Sequence, residues 1–226
     1  AGQAQAANFE NKDLAGAKGE LIFVGASAGK DQYDKLTLSG AAVAPVAPAV
    51  TFTLKSGAHT LNGGAATDDD SLDLSKATIN VVANDSVSSI ADNKLTIGAA
   101  ATPTSVKLGT LNVIKGTVAV SGADAPANKN TLTVTDLQIG GTLPTAEGTP
   151  SAKAAAAEAK ITLGASGEII GTNKFNILAG GELAIDGDKA KVTAKKGVTL
   201  NGGTISVAAA AKDAQITGSV EVVSGG

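Results

Sequence analysis

Apolar and polar residues alternate in short bursts along almost the whole chain. "KLTLSG" (Lys35 to Gly40), "VTFTLKSG" (Val50 to Gly57), "SLDLSKATINVV" (Ser71 to Val82) and "KLTIG" (Lys94 to Gly98) are built this way. So are "SVKLGTLNVIKGTVAVSG" (Ser105 to Gly122), "TLTVTDLQIGG" (Thr131 to Gly141), "KITLGASGEIIG" (Lys160 to Gly171) and "AQITGSVEVVSGG" (Ala214 to Gly226). A period of two sends alternate side chains to opposite faces of an extended strand. The bursts are rich in Val, Ile and Thr, which suit a pleated surface, and are bounded by Gly, Asn, Asp and Ser, which suit turns. The pattern predicts an all-β chain of short strands, about three to six residues each.

The spacing of the turns narrows the architecture. Gly180-Gly181, Gly202-Gly203 and Gly225-Gly226 recur at a nearly constant interval, and Gly140-Gly141 lies a little under two such intervals before the first of these. Upstream, "TLSGAA" starting at Thr37 and "TLNGGAA" starting at Thr60 repeat the same interval. A coil of about 22 residues predicts a parallel β-solenoid, or β-helix, whose coils stack at roughly 4.8 Å. Turn glycines then recur because one corner needs φ > 0, and aliphatic residues recur because each sits on its counterpart in the next coil. An antiparallel β-sandwich, single or in tandem, is the alternative that strands at this spacing also allow.

Some segments depart from the pattern. "PSAKAAAAEAK" (Pro150 to Lys160) has high helix propensity with Ser151 placed to cap it, which predicts one short Ala-rich helix. "GAAVAPVAPAV" (Gly40 to Val50) reads as a stiff Ala/Pro loop. Residues 1–34 read as an N-terminal capping or irregular region and 35–226 as a repetitive β-rich body. The closing "SVEVVSGG" has no polar capping element, so the expectation is a fragment of a longer chain or an end covered by a partner subunit.

Composition sharpens this picture. Of 226 residues 43% are apolar but only 2% aromatic, so the core must be thin and regular, filled by Ala, Val, Leu and Ile. The net charge is −3 and all 18 basic residues are Lys; without Arg, and without basic patches interleaved with aromatics, nucleic acid is excluded as a partner. The absence of Cys excludes disulfides, zinc ribbons and thiol catalysis. The absence of Met gives the expectation of a start after processing or trimming, and "AGQAQA" would suit the mature side of a signal cleavage. No run approaches the roughly 18 apolar residues of a membrane-spanning helix.

Candidate chemistry is sparse. His59 is the single histidine, and the sequence places it as a solvated side chain at a strand edge; "GASAG" (Gly25 to Gly29) matches a nucleophile elbow only as a string. "GASAGKDQ" (Gly25 to Gln32) fails as a phosphate loop, because its first Gly is too close to Lys30 and Asp31 replaces the required Ser or Thr. The densest cluster is acidic: Asp68, Asp69, Asp70 and Asp73 in "TDDDSLD", with Asp186 and Asp188 in "DGD". These are candidate calcium ligands through several oxygens, although neither stretch fits the EF-hand loop or the calcium-binding nonapeptide. Pectin-cleaving β-helix enzymes also group aspartates, which makes a polysaccharide-acting enzyme the remote alternative. In that family a glycine-flanked His follows the aspartates, whereas His59 precedes them, and its Arg motif has no counterpart. The expectation is a protein that is not an enzyme.

The repeats "NILAGGELAIDGD", "GVTLNGGTISVAAA" and "ITGSVEVVSGG" resemble the β-helical passenger regions of bacterial autotransporter adhesins, with Gly-Gly turns before short Thr/Val/Ile strands. The Ala/Gly/Thr richness, absence of sulfur and low pI also resemble bacterial surface-layer proteins. The likeness covers residues 160–226 best. It implies a secreted, cell-surface structural protein, a self-assembling layer, rod or filament component whose assembly calcium would govern through Asp68 to Asp73. The alternative it implies is an adhesin passenger that binds host or cell-surface glycans; with five aromatic residues in the chain, little stacking surface is on offer for a sugar.

Overall fold

The computed structural model describes residues 5–10, 14, 16–23, 33–39, 47–63, 72–82, 93–98, 104–120, 129–142 and 158–224. They form an all-β chain of 17 strands. In order these are β1 (Gln5–Glu10), β2 (Lys18–Phe23), β3 (Tyr33–Ser39), β4 (Ala49–Leu54), β5 (Gly57–Asn62), β6 (Leu72–Val82), β7 (Asn93–Ile97), β8 (Thr104–Val120) and β9 (Asn130–Ile139). There follow β10 (Ala159–Leu163), β11 (Gly167–Leu178), β12 (Gly181–Ile185), β13 (Lys191–Ala194), β14 (Val198–Asn201), β15 (Thr204–Val207), β16 (Gln215–Thr217) and β17 (Val220–Ser224).

Every pairing between these strands is parallel. One ladder runs β1, β3, β5, β7, β8, β10, β12, β15. The other runs β2, β4, β6, β8, β9, β11 and then divides, β11 pairing with both β13 and β14, and these with β16 and β17. The antiparallel sandwich is therefore not the architecture: the one antiparallel contact among the described residues is an isolated bridge between Leu178 and Gly202. Parallel strands need a long crossover between them, whereas the sandwich alternative needs hairpins.

In the first ladder Leu163 faces Ile185 and Ile185 faces Val207, two equal steps along the chain that match the interval of the Gly-Gly turns. The step lengthens where Leu61 faces Ile97 and Val120 faces Leu163. Those longer steps contain segments 64–71, 83–92, 121–128 and 143–157, outside the described residues. Several strands are also longer than expected, β6 and β9 with 11 and 10 residues among them. β8 (17 residues) and β11 (12 residues) each continue through a bend, β8 passing from the second ladder into the first near Gly116 and β11 shifting register between Gly171 and Lys174.

In-register parallel pairing puts each side chain about 4.8 Å from its counterpart, so like stacks on like. Leu72, Val106, Leu132, Ile169, Val192 and Ile216 form one such column. Phe52, Ile79, Leu111, Leu137 and Phe175 form another, and Leu61, Ile97, Val120, Leu163, Ile185 and Val207 a third. Nearly all of these are fully buried, and each contributes about 1.5–3 kcal/mol relative to exposure.

Corners are set by backbone proximity. Gly140, Gly180 and Gly202 all have positive φ, of 83°, 75° and 73°, as the Gly-Gly spacing required. At Gly140 a Cβ would also stand 2.6 Å from the Leu178 carbonyl and 2.8 Å from that of Ala179, so the neighbouring rung forbids a side chain there.

One further expectation changes. Ala159 and Lys160, expected at the end of a helix, are the first residues of β10, with Ala159 fully buried; residues 150–157 lie outside the described set. Tertiary pairing with β8 and β12 overrides the helix propensity of alanine at that position. Residues 1–34 contribute β1 and β2, which pair in parallel with β3 and β4.

Candidate functional site

His59 is not a solvated edge residue. It is 1% exposed, with Nδ1 accepting the Leu36 N–H at 3.1 Å and Nε2 2.8 Å from the Ser56 carbonyl oxygen. An acceptor at Nδ1 leaves the proton on Nε2, which donates to Ser56. The ring stands edge-on to Phe23 at 5.9 Å and 71°. Backbone pairing of β3 with β5 begins at Thr37 and Thr60, and the His59 ring serves the N–H just before it. Both ring nitrogens are engaged in holding the fold.

The candidate calcium ligands do not converge among the described residues. Asp68, Asp69 and Asp70 lie outside them. Asp73 is on β6, where its Oδ1 accepts the Ser75 N–H at 2.9 Å beside the register shift between Leu74 and Thr78. Asp186 and Asp188 are exposed in the tight turn after β12; the Asp186 N–H donates to Leu163 and the Asp188 carbonyl accepts from Ser166, while Lys189 takes φ 57°. Among the described residues no three His, Cys, Asp or Glu side chains gather closely enough to hold a metal ion.

The outward positions carry an order that motif searching missed. On the second ladder Thr51, Thr78, Thr110, Asp136 and Lys174 form one column. Two positions along each strand, Thr53, Asn80, Asn112, Gln138, Asn176 and Thr199 form the next. The polar side chains bond from rung to rung: Asn112 Nδ2 donates to Asn80 Oδ1 at 2.8 Å, Thr53 Oγ1 to Glu20 Oε1 at 2.6 Å, and Asn173 Nδ2 to Asp136 Oδ1 at 2.7 Å. The signal was present as "TFT", "TIN", "TLN", "DLQ" and "KFN", polar residues at spacing two around an apolar centre. Between Thr51 and Asn112 the columns hold uncharged hydroxyls and amides, of which Thr53 and Asn112 are buried and Thr51, Thr78, Asn80 and Thr110 half-buried.

Charge sits elsewhere. Glu182 on β12 accepts the Ser206 hydroxyl at 2.7 Å and lies 3.3 Å from Lys160 Nζ, spanning three successive rungs. The Ser206 hydrogen bond first, and Lys160 after it, hold the Glu182 carboxyl below the usual carboxylate range against the opposing effect of burial. Glu168 similarly lies between Lys129 and Lys191 at 4.0 and 3.9 Å. At rung corners the buried Asn93 reaches across strands, its Nδ2 donating to Leu54 at 2.9 Å and Lys115 at 3.2 Å.

Apolar exposure is concentrated at the outermost strands. Val207, Ile216, Val220 and Val222 occupy or extend the core columns yet are 40–58% exposed, and Leu21 and Ile22 on β2 are 36% and 50% exposed. No helix among the described residues is long and apolar enough to cross a membrane. Comparison with protein-family models, curated proteins and solved structures returned no match.

Proposed function

We propose that this chain is an extracellular structural protein, a β-solenoid that self-associates into a bacterial cell-surface layer, rod or filament. The observation that carries the reading is the set of aliphatic columns that pass in register through successive parallel strands. Successive strips joined at glycine corners, with Leu163, Ile185 and Val207 meeting at equal steps along the chain, are what a solenoid coil requires. Such a body resists extension and proteolysis because its backbone hydrogen bonds run along the stack. Its place at the cell surface belongs to the same proposal and rests on the resemblance of the repeats. Eight strands in the first ladder make a stack of about 35 Å at the spacing of parallel strands, so long objects require many copies.

Electron microscopy with X-ray fibre diffraction tests this. The expected result is ordered filaments or sheets with a meridional reflection near 4.8 Å, about the separation of paired strands. Monodisperse particles that never assemble would sink the structural reading. A second reading, a glycan-binding passenger, is supported by the half-buried Thr51, Thr78, Asn80 and Thr110, uncharged hydroxyls and an amide of the kind that pair with a neutral sugar chain. Retention on immobilised neutral polysaccharide, lost on Asn80→Lys, is its expected signature.

A further inference from the structure

Every large hydrophobic side chain that is substantially exposed among the described residues belongs to β2, β15, β16 or β17. Among the described residues each of these strands pairs on one side only: β2 with β4, β15 with β12, β16 with β13 and β17 with β14. Exposed apolar surface therefore coincides with unpaired strand edges at opposite ends of the ladders, while the flanks are polar. An unpaired edge with apolar side chains is a template for another strand.

We propose that the occupant is a second copy of this chain, added head to tail, with β2 and β1 of one copy pairing in parallel with β17 and β15 of the next. This inference rests on the self-association reading above and specifies its contact. The columns supply the complementarity. One begins at Phe23 and runs through Leu54, Val81, Val113, Ile139, Ile177 and Leu200 to Val222. Another begins at Phe9 and passes through Leu38, Leu61 and Ile97 on its way to Val207. Phe23 is itself covered, so the open apolar surface at the first end is Leu21 and Ile22 of β2 beside the half-buried Phe9, while the columns finish on the exposed Val222 and Val207 at the other. The outward column beside the first runs from Ile22 to Glu221 by the same register, which places those residues opposite each other across the new contact. Two different edges meet, so the contact is heterologous and repeats without closing, giving a polar filament.

The chain contains no cysteine, so single thiols can be placed cleanly. Opposed residues on neighbouring strands have Cα atoms about 4.8 Å apart, within the range a disulfide spans. Mixing Ile22→Cys with Glu221→Cys under mild oxidation is expected to give the mixed dimer at least about tenfold above either homodimer, and the double variant a ladder of oligomers. Dominant Glu221→Cys homodimers would mean tail-to-tail pairing and overturn the proposal. So would mixed cross-linking no faster than that of Thr78→Cys with Glu221→Cys, a pair that joins a flank to an end. As a second arm, Val222→Lys, checked for folding by circular dichroism, is expected to raise the concentration for half-assembly about tenfold or more. Assembly that survives Val222→Lys but is lost in Thr78→Lys overturns end stacking while leaving lateral self-association standing. Wild-type protein that stays monomeric by light scattering at every concentration overturns both.

Discussion

Replacing Leu111 by Ala probes the column on which the fold rests. Leu111 is fully buried between Ile79 and Leu137 in the same column. The change removes about three carbons, a transfer loss of about 2.4 kcal/mol at ~0.8 kcal/mol per group. Backbone bonds hold the neighbouring rungs about 4.8 Å apart, so the gap cannot close by collapse and a cavity term adds to the loss. The total should reach about 4 kcal/mol, in the upper part of the range for Leu→Ala substitutions. Val222→Ala is the matched control: it stands at the end of a neighbouring column, is 58% exposed, and should cost about 0.5 kcal/mol. Urea unfolding followed by far-ultraviolet circular dichroism suits a chain with no Trp and one Tyr, at concentrations low enough to keep it dispersed. A loss below about 1 kcal/mol at Leu111, or equal losses at both sites, would refute the column argument.

Other perturbations separate the remaining interactions. Gly187→Ala should abolish soluble folded protein in an expression and circular-dichroism test, because its Cβ would collide with the backbone of Gly164 and Ala165, which cannot move aside. His59→Leu removes the acceptor for the buried Leu36 N–H and should cost about 1–3 kcal/mol in urea unfolding, whereas His59→Asn, whose Oδ1 can replace Nδ1, should recover part of it. Glu182 has a lowered carboxyl pKa, so its contribution is present above about 4.3, the unfolded value, and is lost as the pH falls through the lower folded value. Glu182→Gln and Ser206→Ala should each reduce the acid-induced loss of stability measured by thermal melts from pH 6 to 2, by about 1 kcal/mol or less because the site is partly solvated.

Much of the molecule was legible in the sequence for local reasons. Alternation at period two assigns strands and faces because it is a property of a single extended segment, and "TLNV" and "TINV" place Leu111 and Ile79 inward with Thr and Asn outward. Positive φ at Gly140, Gly180 and Gly202 was likewise readable, since only glycine occupies that region without strain. The role of His59 was not readable, because its two partners, the Leu36 N–H and the Ser56 carbonyl, are backbone atoms that only the pairing of β3 with β5 brings to the ring. Ala159 shows the same limit from the other side: propensity favoured a helix, and burial between β8 and β12 decided otherwise.

The sequence by itself determined which residues extend, which face inward and where the chain turns. Only the tertiary structure decided that every strand pairing is parallel, that Asn80, Asn112, Gln138 and Asn176 line up in one polar column, and that Glu182 is held between Lys160 and Ser206. Local geometry is set by sterics within a few residues. Pairing partners are chosen by which distant segments can satisfy the same backbone donors and bury the same apolar faces, and no single stretch of sequence contains that information.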